Sequence, residues 1–273
     1  MVTRVTLLGT GNPNPDPRRA GPSTAVIVEE SVYLVDFGVG VVRRAVEAGL
    51  KPSQLTRAFL THLHSDHTIG YPDLIFTPAV VGRETSLEVF GPIGIKSMTD
   101  HILAAYDKDL EERISGLEPA IPDGYAVNIH EISRKEPGVI YQDEAVSVVA
   151  FPVEHGSLSA YGFKFFTPDK TVVISGDTAP SATLIEQSRG CDILIHEVYS
   201  AVSLQTLAGD WRRYHSSVHT SSYELAEIAS KTKPSLLVLY HQLSWGRTSD
   251  ELLLEVKERY DGEVVSGSDL DSF

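Results

Sequence analysis

Thr61-His62-Leu63-His64-Ser65-Asp66-His67 packs three imidazoles and a carboxylate into six residues, directly after the apolar run Ala58-Phe59-Leu60. His62 and His64, two apart on an extended segment, point the same way and can grip one metal ion. Asp66 and His67, adjacent just beyond them, can grip a second. Imidazole nitrogen with carboxylate oxygen is a donor mix that borderline metals such as zinc accept. A merely histidine-rich polar loop would read the same over these seven residues. The rest of the chain decides, because isolated His and Asp residues recur at the ends of other predicted strands.

Working outward, residues 4–8 alternate like a strand, 9–22 form a Gly/Pro-rich loop, and 23–28 with 32–36 read as a β pair. Residues 39–50 have helical periodicity that stops at Gly49, with Pro52 beyond. Strands are expected at 87–90, 145–151, 161–166, 171–175, 193–196 and 236–240, and helices at 96–110, 181–188, 221–231 and 249–259. No linker separates two cores, so the prediction is a layered α/β sandwich in a single domain, 1–273. Its least regular part, about 92–124, is read as a helical insertion carrying His101 as a packing or surface residue.

The formal net charge of -14 over 273 residues argues against a broad polyanion-binding surface and leaves room only for a local basic patch. The one cysteine, Cys191, lies in an apolar run; it excludes an internal disulfide framework and fits a reducing compartment. No stretch has the length of a membrane span, and the opening apolar run is too short for a signal peptide. A cytoplasmic location is expected, with no membrane partner.

Three further residues complete a metal constellation. His155 follows the strand at 145–153, Asp177 follows Val172-Val173-Ile174-Ser175-Gly176, and His241 follows the apolar run Leu236 to Tyr240. Each sits where a rigid strand meets a loop, the place where α/β folds put functional side chains. Seven donors match a two-metal site: His62, His64 and His155 for one ion, Asp66, His67 and His241 for the other. Asp177 would bridge them, its two oxygens offsetting the repulsion between cations roughly 3.5–4 Å apart. A hydroxide shared by the ions would be the nucleophile, since metal binding brings the pKa of water toward neutrality. Nitrogen and oxygen donors fit two zinc ions, and would also accept manganese or iron.

This donor set resembles that of the metallo-β-lactamase fold superfamily of binuclear hydrolases, and the resemblance covers essentially the whole chain. It implies a four-layered αββα sandwich with two mixed sheets. Leu7-Leu8-Gly9-Thr10-Gly11-Asn12-Pro13, Ile195-His196-Glu197-Val198 and Ser217-Val218-His219-Thr220-Ser221 are similar to motifs of its ribonuclease Z branch. In that branch a glutamate and a histidine at the latter two motifs handle leaving-group protons, which here implies Glu197 and His219. With Asp66 they make the expected catalytic set. A carboxylate that orients an imidazole is chemically sensible for a general acid; the competing role for Glu197 is support of a metal-bound histidine. His130 and His196 are read as structural, and His215 as a non-ligand neighbour of His219.

Within the branch, His67-Thr68-Ile69-Gly70-Tyr71-Pro72-Asp73-Leu74, Ser175-Gly176-Asp177-Thr178, His196-Glu197-Val198-Tyr199 and His241-Gln242-Leu243 look like the arylsulfatase-like subgroup. Ribonuclease Z typically inserts a long transfer-RNA-gripping arm between the motifs matching His155 and Asp177. This chain has there only enough residues for a turn and two strands. The resemblance thus implies a hydrolase of small anionic esters, an aryl or alkyl sulfate or a phosphodiester, with a nucleic acid an unlikely partner and a homodimer possible. The alternatives are a ribonuclease Z-type phosphodiesterase or nuclease, or a lactonase, which shares the seven ligands. A non-catalytic scaffold protein is a third class, but it should have lost ligands that this sequence keeps. Specificity is expected from a loop at 209–215, opposite Tyr71, Phe76 and the 92–124 stretch.

Overall fold

The computed structural model describes every residue from Met1 to Phe273. The chain divides into two compact units, each built on one mixed β-sheet. The N-terminal unit comprises Arg4–Gly9, Pro15–Ser133 and Asp269–Phe273. Its sheet runs in the order β1 (Thr3–Gly9), β2 (Ser23–Val28), β3 (Ser31–Val35), β4 (Arg57–Phe59), β5 (Leu87–Pro92), β6 (Val127–Ile132). Strands β2 and β3 form an antiparallel hairpin, turned at Glu29 in the left-handed region, and β3 through β6 run parallel. Strand β2 is buried at every position, which suits its unbroken apolar and small-residue sequence. The unit's own core gathers Leu8, Leu34, Phe37, Leu60, Tyr71, Leu74 and Ile75.

A helix at Tyr71–Val80 escapes the sequence pattern because it contains Pro72 and Pro78. Proline is tolerated in the first helical turn, but Pro78 has no N–H for the Leu74 carbonyl. Arg83 supplies it: its guanidinium, 1% exposed, donates to the carbonyls of Leu74 (2.9 Å), Ile75 (2.7 Å), Leu55 (3.1 Å) and Gly124 (2.9 Å). Burial holds its pKa down to about 10, so it stays a cation at neutral pH. Arg83→Met would strand several buried acceptors at a cost of about 3 kcal/mol. Residues 92–124 carry the helices Ile95–Ala105, Asp107–Ser115 and Pro122–Tyr125, with a break at Tyr106 where one helix over 96–110 is expected.

The C-terminal unit comprises Met1–Thr3, Thr10–Asn14 and Arg134–Ser268. Its seven strands are β7 (Gly138–Gln142), β8 (Ser147–Pro152), β9 (Tyr161–Phe166), β10 (Thr171–Ile174), β11 (Ile193–Tyr199), β12 (Leu236–Leu243) and β13 (Val264–Ser266), ordered β13-β12-β11-β10-β9-β8-β7. Strands β10 to β13 are parallel and β7 to β10 antiparallel. Two helices here start on reciprocal capping boxes, Ser221 with Glu224 and Thr248 with Glu251, which satisfy the first exposed N–H groups. Two mixed sheets with accompanying helices are the α/β architecture expected. The unanticipated strands β6, β7 and β13 are sheet edges, where polar, half-exposed positions blur the apolar alternation. No helix is long and apolar enough to cross a membrane.

Candidate metal centre

Beyond β4 the chain runs extended to His64 and then turns into a short helix, Ser65–Thr68. The change of backbone period at residue 65 gives the His62/His64 pair and the Asp66/His67 pair different directions. The His62 and His64 rings are 4.7 Å apart, the His62 and His67 rings 4.2 Å, and His62 Nε2 lies 2.9 Å from His64 Nδ1. His62 and His67 are fully buried. The residue the sequence reading missed is Asp36, which closes β3 in the left-handed region at φ 60°. Its carboxylate takes the Thr61 N–H (2.8 Å), the Thr61 hydroxyl (3.0 Å) and His67 Nδ1–H (2.8 Å). That bond leaves Nε2 as the donor nitrogen of His67 and fixes the ring. A signal was available: an aspartate ends an apolar strand beside the strand that leads to the histidines.

Two glycines let this turn sit close. A Cβ on Gly38 would meet Asp66 O at 2.6 Å, and one on Gly70 would meet Gly38 O at 2.2 Å. The approach is tied by Phe37 N–H to His67 O and Gly70 N–H to Phe37 O, both 3.0 Å.

In the C-terminal unit, His155 donates from Nδ1 to the Val218 carbonyl (2.8 Å), again leaving Nε2 as donor nitrogen. Asp177 follows the left-handed Gly176 after β10, and its Oδ2 lies 3.6 Å from His241 Nε2 and 3.9 Å from His219 Nδ1. His241 does not follow the strand, as the sequence suggests, but lies within β12. The register of β11 on β12 shifts there: Tyr240 pairs with Glu197 and Gln242 with Val198, so His241 is the extra residue of a bulge. It adopts φ 45°, and a bulge of this kind re-aims a side chain. Asn12, from the opening glycine-rich loop, donates to the Gln242 carbonyl (2.8 Å) beside it.

Glu197 is fully buried on β11. Its Oε1 accepts from His219 Nδ1, Thr178 N and Thr220 N, each at 3.1 Å, while Oε2 has no hydrogen-bond partner. One carboxylate thus locks the residue after Asp177, the residue after His219, and His219 itself. Strand alternation turns the adjacent His196 to the opposite face, where Nδ1 bonds the Glu197 carbonyl and burial lowers its pKa. That is the structural role expected of it. His130 bonds Glu88 and stacks on Phe90, and His101 bonds Ser97 O on its own helix. The expected 209–215 loop is a helix, Gly209–Val218, whose sequence is polar overall. His215 on it stacks on His219 at 5.6 Å, and burial beside that imidazole pushes its pKa down to about 4, leaving it neutral at pH 7.

The N-terminal unit gathers His62, His64, Asp66 and His67, and the C-terminal unit carries His155, Asp177 and His241 at the ends or bulges of its strands. These nitrogen and oxygen donors, mostly buried and with two imidazoles fixed at Nδ1, are of the kind that divalent cations accept.

The family described as Beta-lactamase superfamily domain matches residues 33–242. Ribonuclease Z of Mycobacterium sp. (strain KMS) is 38% identical over 250 residues, covering 89% of this chain and 85% of the relative. Ribonuclease Z of Mycolicibacterium gilvum (strain PYR-GCK) is 32% identical over 276 residues, covering 98% and 95%. Among solved structures, human tRNase Z, short form, has a TM-score of 0.74 at 22% identity over 99% of this chain and 98% of that one. YhfI from Bacillus subtilis, a metallo-beta-lactamase fold protein, has 0.74 at 20% over 99% and 98%.

These relatives correct the expectation that a small-molecule anionic ester is the partner and nucleic acid an unlikely one. Net charge is a poor guide here because exposed charges are screened beyond about 8–10 Å, so a chain-wide total says little about one contact patch. The missing arm does not discriminate either. With 95% of the Mycolicibacterium protein aligned to this chain, that relative has little room for a long insertion. The comparisons favour the ribonuclease Z alternative over the sulfate-ester reading. The chain belongs to the beta-lactamase superfamily, in its ribonuclease Z branch, as a metal-dependent hydrolase of ester bonds.

Proposed function

We propose that the protein hydrolyses phosphodiester bonds of RNA, and that His62, His64, Asp66, His67, His155, Asp177 and His241 would hold the two zinc ions that this chemistry uses. Bound divalent cations supply Lewis acidity, lowering the pKa of water and neutralising charge on the non-bridging phosphate oxygens. The observation that carries the reading is the buried Glu197–His219 pair, bonded at 3.1 Å, with His219 Nδ1 3.9 Å from Asp177 Oδ2. An RNA alkoxide is a poor leaving group, so a positioned acid has work to do there that a phenolate would not require. Glu197 holds Nδ1–H and stabilises the imidazolium, which makes His219 Nε2 the nitrogen that hands its proton to the departing oxygen. Water adds to phosphorus as the P–O bond to that oxygen breaks. Asp66, 3.5 Å from His67 Nε2, would serve with His67 as a ligand and would keep negative charge beside a bound cation. The single buried thiol, Cys191, suits action in the reducing cytoplasm.

The test is cleavage of a precursor transfer RNA, a short single-stranded RNA and p-nitrophenyl sulfate by zinc-loaded protein, with Asp177→Ala as control. RNA cleavage lost in the variant supports the reading. Sulfate turnover without RNA cleavage overturns it.

A further inference from the structure

The helix Gly209–Val218 has a second feature that the reaction leaves unused. Trp211, 60% exposed, and Tyr214, 41% exposed, open a continuous series of rings that leads inward to the catalytic histidine. Trp211 stacks on His215 (5.7 Å, 24°), His215 on His219 (5.6 Å, 30°), and His219 on His241 (6.1 Å, 22°). Tyr214 meets Trp211, His215 and His219 edge-on. Trp245 closes the far side, 4.7 Å from His215 and 5.8 Å from Tyr199. It does so from a left-handed backbone, φ 42°, a costly conformation for a bulky residue. The inner end is anchored as well, because Val218 on the same helix accepts the His155 Nδ1–H bond.

Monomeric proteins rarely leave a tryptophan and a tyrosine together on one exposed helix face without a use. Arg212, the next residue along the helix and exposed, offers a guanidinium suited to phosphate. Aromatic faces beside phosphate-binding cations are how unpaired nucleotides are held.

From this juxtaposition we infer that Trp211, backed by Tyr214 and His215, is a stacking platform for an unpaired nucleobase on the leaving-oxygen side of the scissile phosphodiester. The side follows from the series of rings itself. It runs outward from His219, which protonates the leaving oxygen, so the nucleotide bearing that oxygen lies nearest. The inference rests on the RNA reading above and adds to it which nucleotide is gripped and by what chemistry.

The test uses matched single-stranded RNAs that carry either a normal base or an abasic nucleotide, on one side or the other of the cleaved bond. Wild-type protein is expected to prefer the base-bearing leaving nucleotide by on the order of tenfold in KM. Trp211→Ala should collapse that preference and Trp211→Phe should keep most of it. A preference of the same size in Trp211→Ala, or none in wild type, overturns the platform while leaving RNA hydrolysis intact. A preference confined to the opposite nucleotide overturns the assignment of side. Wild-type protein that cleaves none of these RNAs, nor a precursor transfer RNA, overturns the function reading and the platform with it. Trp211 is exposed, so its replacement is not expected to alter folding, and a thermal melt checks this.

Discussion

The turn after β4 and the bulge in β12 both present metal-ligand candidates, by opposite means. The turn is local: four donors lie within six residues, and a period change at Ser65 aims them. Its outside help comes mainly from Asp36, which fixes His67, and from glycines that leave room for the backbone. The β12 side is assembled from distant pieces. His155 and Asp177 follow separate strands, Glu197 and His241 lie within β11 and β12, and His219 ends a helix; they are held by one carboxylate, one bulge and one borrowed carbonyl. A local cluster resists loss of any single contact because its geometry is mostly covalent. A dispersed one depends on each tie.

The largest expected effect tests whether the two sides serve one centre at all. Asp177 is the proposed bridging ligand, and its Oδ2 lies 3.6 Å from His241 Nε2. Asp177→Ala should cut turnover on the order of 10³-fold and lower zinc content below two per chain by elemental analysis; full metal loading would remove it from the bridging position. Glu197→Gln comes next. The amide keeps the shape and can place its NH2 at the unbonded Oε2 position, but the charge on the imidazole's partner is gone. A fall in kcat of about 10²-fold with zinc content preserved is expected, and adding His219→Ala should cost little more, since residues acting as a unit are not additive. A loss of zinc instead would make Glu197 a support of the metal ligands.

On the local side, Asp36→Asn should weaken zinc affinity by about 10–100-fold, measured by competition with a chelator, because His67 loses a charged orienting partner. An unchanged affinity would show that the turn holds His67 unaided. The smallest effect is expected from Asn12→Ala, which deletes one hydrogen bond beside the His241 bulge. A loss of about 1 kcal/mol, roughly fivefold in zinc affinity, follows if the dispersed side depends on single ties. No change would mean that Gln242, whose side chain bonds Leu239 O, Ser266 Oγ and Gly267 O, already holds the bulge alone.

The histidine-rich turn and the α/β class were legible in the chain because residue type and local alternation reveal them; His155, Asp177 and His241 were flagged as residue types expected where apolar strands end, and the Glu197 and His219 pair came only from resemblance to ribonuclease Z motifs. Short edge strands and two helices were not. Tyr71–Val80 hides behind Pro78, which leaves the Leu74 carbonyl orphaned until Arg83 meets it, and Gly209–Val218 opens on a glycine and is polar overall. The bond from Asp36 to His67, the bulge at His241, the carbonyl bond that fixes His155 and the ring series from Trp211 to His241 belong to the tertiary structure alone. Each depends on which distant backbone atom or ring arrives within about 3–6 Å, and spacing along a chain carries no record of that.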